Sequence, residues 1–237
     1  MAGHQDGEAW GLALCEKTGT FLTSGDDNKI MKFDYKEKKF VDQAKISDHA
    51  SKNEKKIKAV TASTTSSFPK NQQARGLAVS KAGHVAVCNH FGKVSIRLLS
   101  DMNKKIASLK DAEEWCEVMK YSPDEKYLAV GSHDNGVYIY EIDGENYKLA
   151  KRFMKHSSYV TCLDWSADST YVRSVCGAYS KLYWKISDMS FDSDGLKNTK
   201  DTIWDSLSMK LGWEVDGIFP SGEDGTHINS VNSSKDG

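Results

Sequence analysis

The hydrophobic residues repeat one pattern along the chain. The clearest copy runs from Cys116 to Tyr140, where apolar residues alternate with polar ones in short segments. Such alternation is typical of β-strands that bury one face. Two turns separate the segments, one at Ser122-Pro-Asp-Glu and one at Asp134-Asn-Gly, whose central residues tolerate a positive φ. The pattern therefore predicts antiparallel strands joined by tight turns.

Four such copies follow one another in the sequence. Their spacing is regular in two intervals, since 41 residues separate Leu77 from Val118 and 45 separate Val118 from Leu163. Repeats of short strands every ~40–45 residues are typical of β-propeller blades. We predict an all-β fold, a partial propeller with one four-stranded antiparallel sheet per blade and the start of a fifth blade at residue 225. The predicted blade cores are residues 9–34, 75–98, 115–140 and 158–185.

The first interval is longer, because 65 residues separate Leu12 from Leu77. Its excess is rich in Lys, Ser, Thr and Gln, which predicts a flexible surface insertion at residues 42–74. A basic run within it offers candidate contacts to an acidic partner surface. The lysines of this run are Lys52, Lys55, Lys56 and Lys58. The alternative is a solvated loop without a partner, as charge runs usually are.

The charge balance excludes some classes of partner. Lys and Arg number 32 against 33 Asp and Glu, a formal net charge of −1, so no global field favours nucleic acid or an anionic membrane. No apolar run approaches the ~20 residues of a membrane span, and the first ten residues lack the core of a signal peptide, so an intracellular protein is expected. The five widely spaced cysteines predict buried, reduced thiols rather than a zinc cage or disulfides.

The sequence lacks the common motifs of catalysis and of cofactor binding, namely a nucleophile elbow, a zinc-protease helix motif and a phosphate-binding loop. Cys88 and His90 are two residues apart, but sharing a strand face does not by itself activate a thiol. Glu223 and Asp224 lie between glycines, which favours a solvated turn over a metal site. We predict a non-enzymatic protein without cofactor or metal, and an enzyme built on a propeller frame is the weakest hypothesis.

Five segments carry more specific information than the blade pattern. They are His4–Ala13, Tyr121–Tyr140, His156–Ser166, Leu182–Trp184 and Leu211–Val231. Together they resemble the echinoderm microtubule-associated protein-like family of WD-repeat proteins, and a generic WD repeat does not contain the last segment. The resemblance implies part of the second of two tandem propellers, with a structural role on microtubules and tubulin as a partner.

The resemblance also implies a location and a further partner. The expected location is the cytoplasm and cytoskeleton, including the axoneme of a cilium or flagellum. Four blades and a fraction leave a propeller open, so another propeller-containing chain is expected to complete the ring. The alternative function is a cytoplasmic WD-repeat scaffold that assembles a signalling or regulatory complex without binding microtubules.

A WD blade joins a histidine, a hydroxyl residue, a turn aspartate and a strand tryptophan by buried hydrogen bonds. By resemblance, four residues have this structural role in blade turns rather than a catalytic one: His4, Asp27, Asp134 and His156. The networks are expected to be incomplete, because Phe33 stands where blade 1 needs the tryptophan and Ala178 stands where blade 4 needs the aspartate. The six tryptophans lie mostly in strand patterns, and burial is expected for them.

Overall fold

The computed structural model describes residues 3–4, 7–46, 73–210 and 231. Over these ranges the chain forms four sheets, each with four antiparallel strands in sequential order. Helix within the described residues consists of a single 3₁₀ turn at Glu16–Thr18 and a short α-helix, α1, at Gly195–Asn198. The predicted all-β class and the four-stranded antiparallel blades are confirmed.

The four sheets are the blades, numbered in chain order. Blade 1 comprises β1 (Ala9–Cys15), β2 (Thr20–Gly25), β3 (Lys29–Asp34) and β4 (Lys39–Lys45). Blade 2 comprises β5 (Ala74–Val79), β6 (His84–Asn89), β7 (Val94–Leu98) and β8 (Lys105–Leu109). Blade 3 comprises β9 (Cys116–Tyr121), β10 (Tyr127–Ser132), β11 (Val137–Asp143) and β12 (Asn146–Phe153). Blade 4 comprises β13 (Val160–Trp165), β14 (Tyr171–Cys176), β15 (Lys181–Lys185) and β16 (Ser190–Phe191).

The first strand of each blade is the innermost, because β1 contacts β5, β5 contacts β9 and β9 contacts β13. Close approach of these strands requires small residues. A Cβ atom on Gly76 would lie 2.5 Å from the carbonyl oxygen of Cys116, which leaves glycine as the residue that fits. The pairing of each innermost strand is irregular near one end of the sheet. We call that end the top face, and such bulges re-aim the neighbouring side chains.

The hydrophobic core lies between the blades rather than within one sheet. Blades 1 and 2 bury Leu22, Ile30, Leu77 and Val85 between them. Blades 2 and 3 bury Ala86, Ile96, Met119 and Tyr138. Blades 3 and 4 bury Ile139, Leu163, Trp165 and Trp184. Because full burial of such a side chain contributes roughly 1.5–3 kcal/mol, each blade depends on its neighbour for stability.

The far face of blade 4 is covered by the chain that follows α1. The amide of Ala167 donates to the carbonyl of Ile203 at 2.8 Å, and the amide of Asp205 donates to the carbonyl of Trp165 at 2.9 Å. Residues 203–205 therefore run antiparallel to the end of β13. Farther along, Met209 packs against blade 4 in a small apolar cluster.

Two predicted features fall partly or wholly outside the described residues. Residues 42–45 of the predicted insertion belong to β4 and residue 74 begins β5, whereas residues 47–72 are outside the described ranges. The predicted start of a fifth blade at residue 225 is also outside them.

Candidate interaction surface

The histidine network of blade 1 lies at the top face. The Nδ1 atom of His4 is 2.7 Å from Oδ1 of Asp27, and its Nε2 atom is 2.9 Å from the hydroxyl of Thr23. The side chains of His4 and Asp27 are 6% and 4% exposed. Phe33 offers no donor to extend the network, and Oδ2 of Asp27 is buried without a hydrogen bond. The network ties the residues before β1 to the hairpin turn between β2 and β3.

Blade 4 has the histidine, the hydroxyl residue and the tryptophan of the WD network but lacks the aspartate. The hydroxyl of Ser174 accepts from Nε1 of Trp184 at 2.8 Å and is hydrogen-bonded to Nε2 of His156 at 2.6 Å. The Nδ1 atom of His156 is buried and has no hydrogen-bond partner. Ala178 is at the place that Asp27 takes in blade 1, since each directly precedes a turn residue with positive φ. Burial lowers the pKa of His156 to about 4.

A carboxylate at position 178 is expected to give the buried Nδ1 atom of His156 a hydrogen-bond partner. The pKa of His156 is about 4 in the folded protein and ~6.5 in an unfolded chain, so the unfolded chain binds a proton at this residue more readily. The free energy of unfolding therefore falls as the pH drops from ~6.5 toward 4. We expect Ala178→Asp to raise the pKa of His156, stabilise the chain by about 1 kcal/mol and flatten the fall in Tm between pH 7 and pH 5. Thermal melts across this range test it, with Ala178→Asn as the uncharged control. An identical pH profile for both variants would contradict the assignment.

Asp134 has a turn role in blade 3, but without a histidine. Its Oδ1 atom accepts from the amide of Gly136 at 2.9 Å. Its Oδ2 atom accepts from the amide of Glu113 at 2.8 Å and from the hydroxyl of Tyr138 at 2.6 Å. The carboxylate thus joins the β10–β11 turn to the segment that enters β9.

An arc of five side chains crosses the top face from blade 1 to blade 4. The guanidinium of Arg75 lies 3.9 Å from the ring centroid of Trp10 and 5.4 Å from that of Trp115. Trp115 stacks on His133 at 3.6 Å, and His133 stacks on Tyr159 at 4.5 Å. We call Trp10, Arg75, Trp115, His133 and Tyr159 the aromatic arc. Trp10 and Tyr159 are each 42% exposed, so the expected burial of the tryptophans is wrong for Trp10.

Hydrogen bonds fix the blade 1 end of the arc. Nε1 of Trp10 donates to Oδ1 of Asp26 at 2.9 Å, and Nη1 of Arg75 is 3.3 Å from the same oxygen. Nη2 of Arg75 donates to Oε1 of Gln73 at 3.0 Å. Burial lowers the pKa of Arg75, and the negative charge of Asp26 opposes that change. The positive charge of Arg75 is therefore offset by the carboxylate of Asp26.

Blade 1 exposes an apolar sheet face on the side away from blade 2. Leu12 is 71% exposed and Leu14 is 55% exposed. Leu12 pairs across the sheet with Thr23 and Leu14 with Phe21, so these four side chains share one face, which we call the open face. In blade 2 the same Gly-Leu-Ala sequence places Leu77 against blade 1 with 7% exposure. Leu12 therefore has, on the open face of blade 1, the position that Leu77 has where blade 2 packs against blade 1.

A buried carboxylate holds the far side of blade 4. Asp164, at 0% exposure, is bound by Lys120 of β9 at 2.8 Å and by Arg173 of β14 at 3.2 Å. The hydroxyls of Ser206 and Ser208 donate to it at 2.7 and 2.8 Å. We call these five residues the Asp164 cluster. It joins blade 3, blade 4 and the segment after α1.

Comparison with known proteins decides the family. The family model described as the second β-propeller of echinoderm microtubule-associated protein matches residues 9–237. The chain belongs to the echinoderm microtubule-associated protein family. The predicted resemblance to this family is confirmed.

Individual members of the echinoderm microtubule-associated protein family and a ciliary protein align with most of the chain. The ciliary WD repeat-containing protein ctxp80 of Euplotoides octocarinatus is 45% identical over 240 residues, which is 100% of this chain and 32% of that protein. The 77 kDa echinoderm microtubule-associated protein of Strongylocentrotus purpuratus is 33% identical over 97% of this chain and 30% of its own length. Human echinoderm microtubule-associated protein-like 3 is 32% identical over 98% of this chain and 23% of its own length. The chain spans about a third of the length of the first two relatives.

The described part of this echinoderm microtubule-associated protein propeller contains no group of three or more His, Cys, Asp or Glu side chains arranged to hold a metal ion. No helix in the described ranges is long and apolar enough to cross a membrane. The thiol of Cys88 is fully buried and donates to the carbonyl of Asn89 at 3.1 Å. Nδ1 of His90 lies 3.4 Å from Nη2 of Arg75.

Some candidate residues of this echinoderm microtubule-associated protein propeller fall outside the structural description. Lys52, Lys55, Lys56 and Lys58 are all in that group, as are Glu223 and Asp224. The aromatic arc, in turn, was not predicted. Its sequence signal is an aromatic or arginine residue at or just before the start of an innermost strand, as at Trp10, Arg75, Trp115 and Tyr159.

Proposed function

We propose that this chain is part of a non-enzymatic scaffold that associates with microtubules. The observation that carries the proposal is the 45% sequence identity between the whole of this chain and a relative named as ciliary. Relatives named as microtubule-associated support polymerised tubulin as the partner. The proposed place of action is the cytoplasmic cytoskeleton, including the axoneme of a cilium or flagellum.

The non-enzymatic part of the proposal is supported by how the polar residues are used. His4, Asp27, Asp134 and His156 all bind turns or neighbouring strands of their own blades. Their hydrogen bonds link structural elements, and the fully buried thiol of Cys88 donates to the carbonyl of Asn89. Blade turns of this kind give a rigid frame, which suits a scaffold that binds partners through its surface.

A second propeller-containing chain is the proposed occupant of the open face. Blade packing repeats along the chain, since Leu77, Met119 and Leu163 each lie in a core shared with the preceding blade. Leu12 has the position of Leu77 but 71% exposure. An exposed apolar sheet face of this kind favours association, and the repeat specifies another blade as the matching shape.

The basic run is the proposed contact to the acidic surface of tubulin. Lys52, Lys55, Lys56 and Lys58 lie between β4 and β5, in the part of the chain that is outside the structural description. Opposite charge on the two surfaces would raise the rate of encounter and make binding sensitive to salt.

Microtubule association is tested by fractionation of the native cytoskeleton. The tagged chain, expressed in cells that build cilia, is expected to sediment with intact microtubules and to leave the pellet when microtubules are depolymerised in the cold. Release is also expected at raised ionic strength if the lysines contact tubulin. A chain that remains in the supernatant with soluble partners would contradict the proposal and favour the cytoplasmic scaffold.

Completion by another chain is tested by a charge on the open face. We expect Leu12→Glu to leave the isolated chain folded, because the side chain is exposed, yet to remove a propeller-containing polypeptide from the material that co-purifies with the tagged chain. Leu196→Glu is the matched control, since Leu196 is 64% exposed on α1. Equal recovery of that polypeptide with both variants would contradict the proposed use of the open face.

A further inference from the structure

The aromatic arc presents two large rings to solvent, those of Trp10 and Tyr159. Trp10 and Tyr159 are 42% exposed, while tryptophans within the blades, such as Trp165 and Trp184, are 1% exposed. Trp, Tyr and Arg are the residues that most often dominate binding energy at protein interfaces. The arc therefore has the composition of an interaction site, and it is separate from the open face.

Its side chains are already held in place. Stacking fixes His133 between Trp115 and Tyr159, and a hydrogen bond to Asp26 fixes Trp10. Four of its five residues lie in or directly before the innermost strands of the four blades, and His133 directly follows β10, so the cores between the blades hold the backbone of the arc in place. A partner that binds here loses little affinity to the ordering of the surface.

Three exposed glutamates flank Trp115 in the sequence. Glu113 and Glu114 directly precede Trp115, Glu117 follows it by two residues, and all three are exposed. Oε2 of Glu117 lies 3.0 Å from Nε2 of His133, within the arc itself. Glu113 is 3.6 Å from the guanidinium of Arg152, which offsets its charge, so the carboxylates of Glu114 and Glu117 are the ones that remain to attract a further cation. The cation of the arc, Arg75, is buried and neutralised by Asp26.

Aromatic faces beside carboxylates favour cationic side chains, because the ring quadrupole and the negative charge attract the same ion. The arc itself contains one example, the guanidinium of Arg75 at 3.9 Å from the ring of Trp10 and 3.3 Å from Asp26. We propose that the aromatic arc binds a segment of a partner protein that carries arginine or lysine. This binding site is distinct from the proposed microtubule contact, in which basic residues of the chain bind an acidic partner.

The test uses the whole chain and two labelled probes, a nonapeptide of alternating glycine and arginine and its glutamate counterpart. Fluorescence anisotropy is expected to show binding of the arginine peptide and none of the glutamate peptide. We expect Tyr159→Ala and Glu117→Gln each to weaken binding at least fivefold. Thermal melts establish that both variants are folded, and Glu117→Gln retains every ring of the arc.

Two matched controls separate the arc from general attraction to a polycation. Tyr35 is 38% exposed at the opposite end of blade 1, and Glu141 is exposed on β11. Tyr35→Ala and Glu141→Gln are expected to change the affinity by less than twofold. Equal loss of binding in controls and arc variants, or equal binding of the two probes, would overturn the proposal.

Discussion

Replacing Leu77 by alanine is expected to lower the free energy of unfolding by about 2–5 kcal/mol, whereas Leu12→Ala lowers it by less than about 0.5 kcal/mol. The two leucines follow a glycine at the same place in successive innermost strands, and they differ in what covers them. Leu77 is 7% exposed in the core between blades 1 and 2, and Leu12 is 71% exposed on the open face. Urea unfolding of the two variants measures the difference directly.

Comparing the two variants tests whether the open face is uncovered in the isolated chain, because the substitution is chemically identical at both positions. A cavity forms only where neighbouring atoms surround the lost methyl groups. Similar losses for Leu12→Ala and Leu77→Ala would mean that Leu12 is covered in the isolated chain, for example by a second copy. A dependence of Tm on protein concentration would identify that case.

Replacing Asp164 by alanine is expected to destabilise the chain by about 3–5 kcal/mol, because it leaves the buried guanidinium of Arg173 and the partly exposed Lys120 without their counter-ion. The carboxylate accepts hydrogen bonds from Lys120, Arg173, Ser206 and Ser208, and it is fully buried. Its loss removes the side-chain link between blade 4 and the segment after α1 and leaves the backbone hydrogen bonds of residues 203–205. We expect lower Tm and earlier proteolysis within residues 195–210, read by mass spectrometry of the fragments.

Asp143→Ala provides the matched control for this second substitution. Asp143 is an exposed aspartate at the end of β11, and its replacement is expected to change stability by less than about 0.5 kcal/mol. A loss of less than about 1 kcal/mol for Asp164→Ala would contradict a structural role for the cluster. Unchanged cleavage within residues 195–210 would show that the cluster does not anchor this segment.

The blade pattern was predictable wherever strands alternate and turns are sharp. β9 and β10 lie within the predicted core at 115–140, β11 begins within it and ends three residues beyond it, and the turn residue Asn135 has the expected positive φ of 69°. The outer strands were harder to locate in the sequence. β4 is exposed at six of its seven residues, so it shows no clear alternation of buried and exposed positions. An edge strand of this type is specified by backbone pairing to its neighbour, which sequence patterns do not reveal.

The candidate site was less predictable than the fold. The resemblance to WD repeats identified His4 and His156 as members of blade networks, and the structure places both in hydrogen bonds with hydroxyl residues of their own blades. The aromatic arc and the Asp164 cluster depend on residues far apart in sequence. Trp10 meets Arg75 across 65 positions, and Asp164 meets Ser208 across 44. Such contacts follow from the packing of blades and not from any local pattern.

The measurement that tests the central claim most directly is cross-linking mass spectrometry of the chain isolated from its native source with microtubules intact. Links from Lys52, Lys55, Lys56 or Lys58 to tubulin are expected, together with links from lysines near the open face, such as Lys17, to a second propeller-containing chain. That result would describe a lattice-bound scaffold completed by another polypeptide. Links to soluble proteins alone, with none to tubulin, would contradict the account.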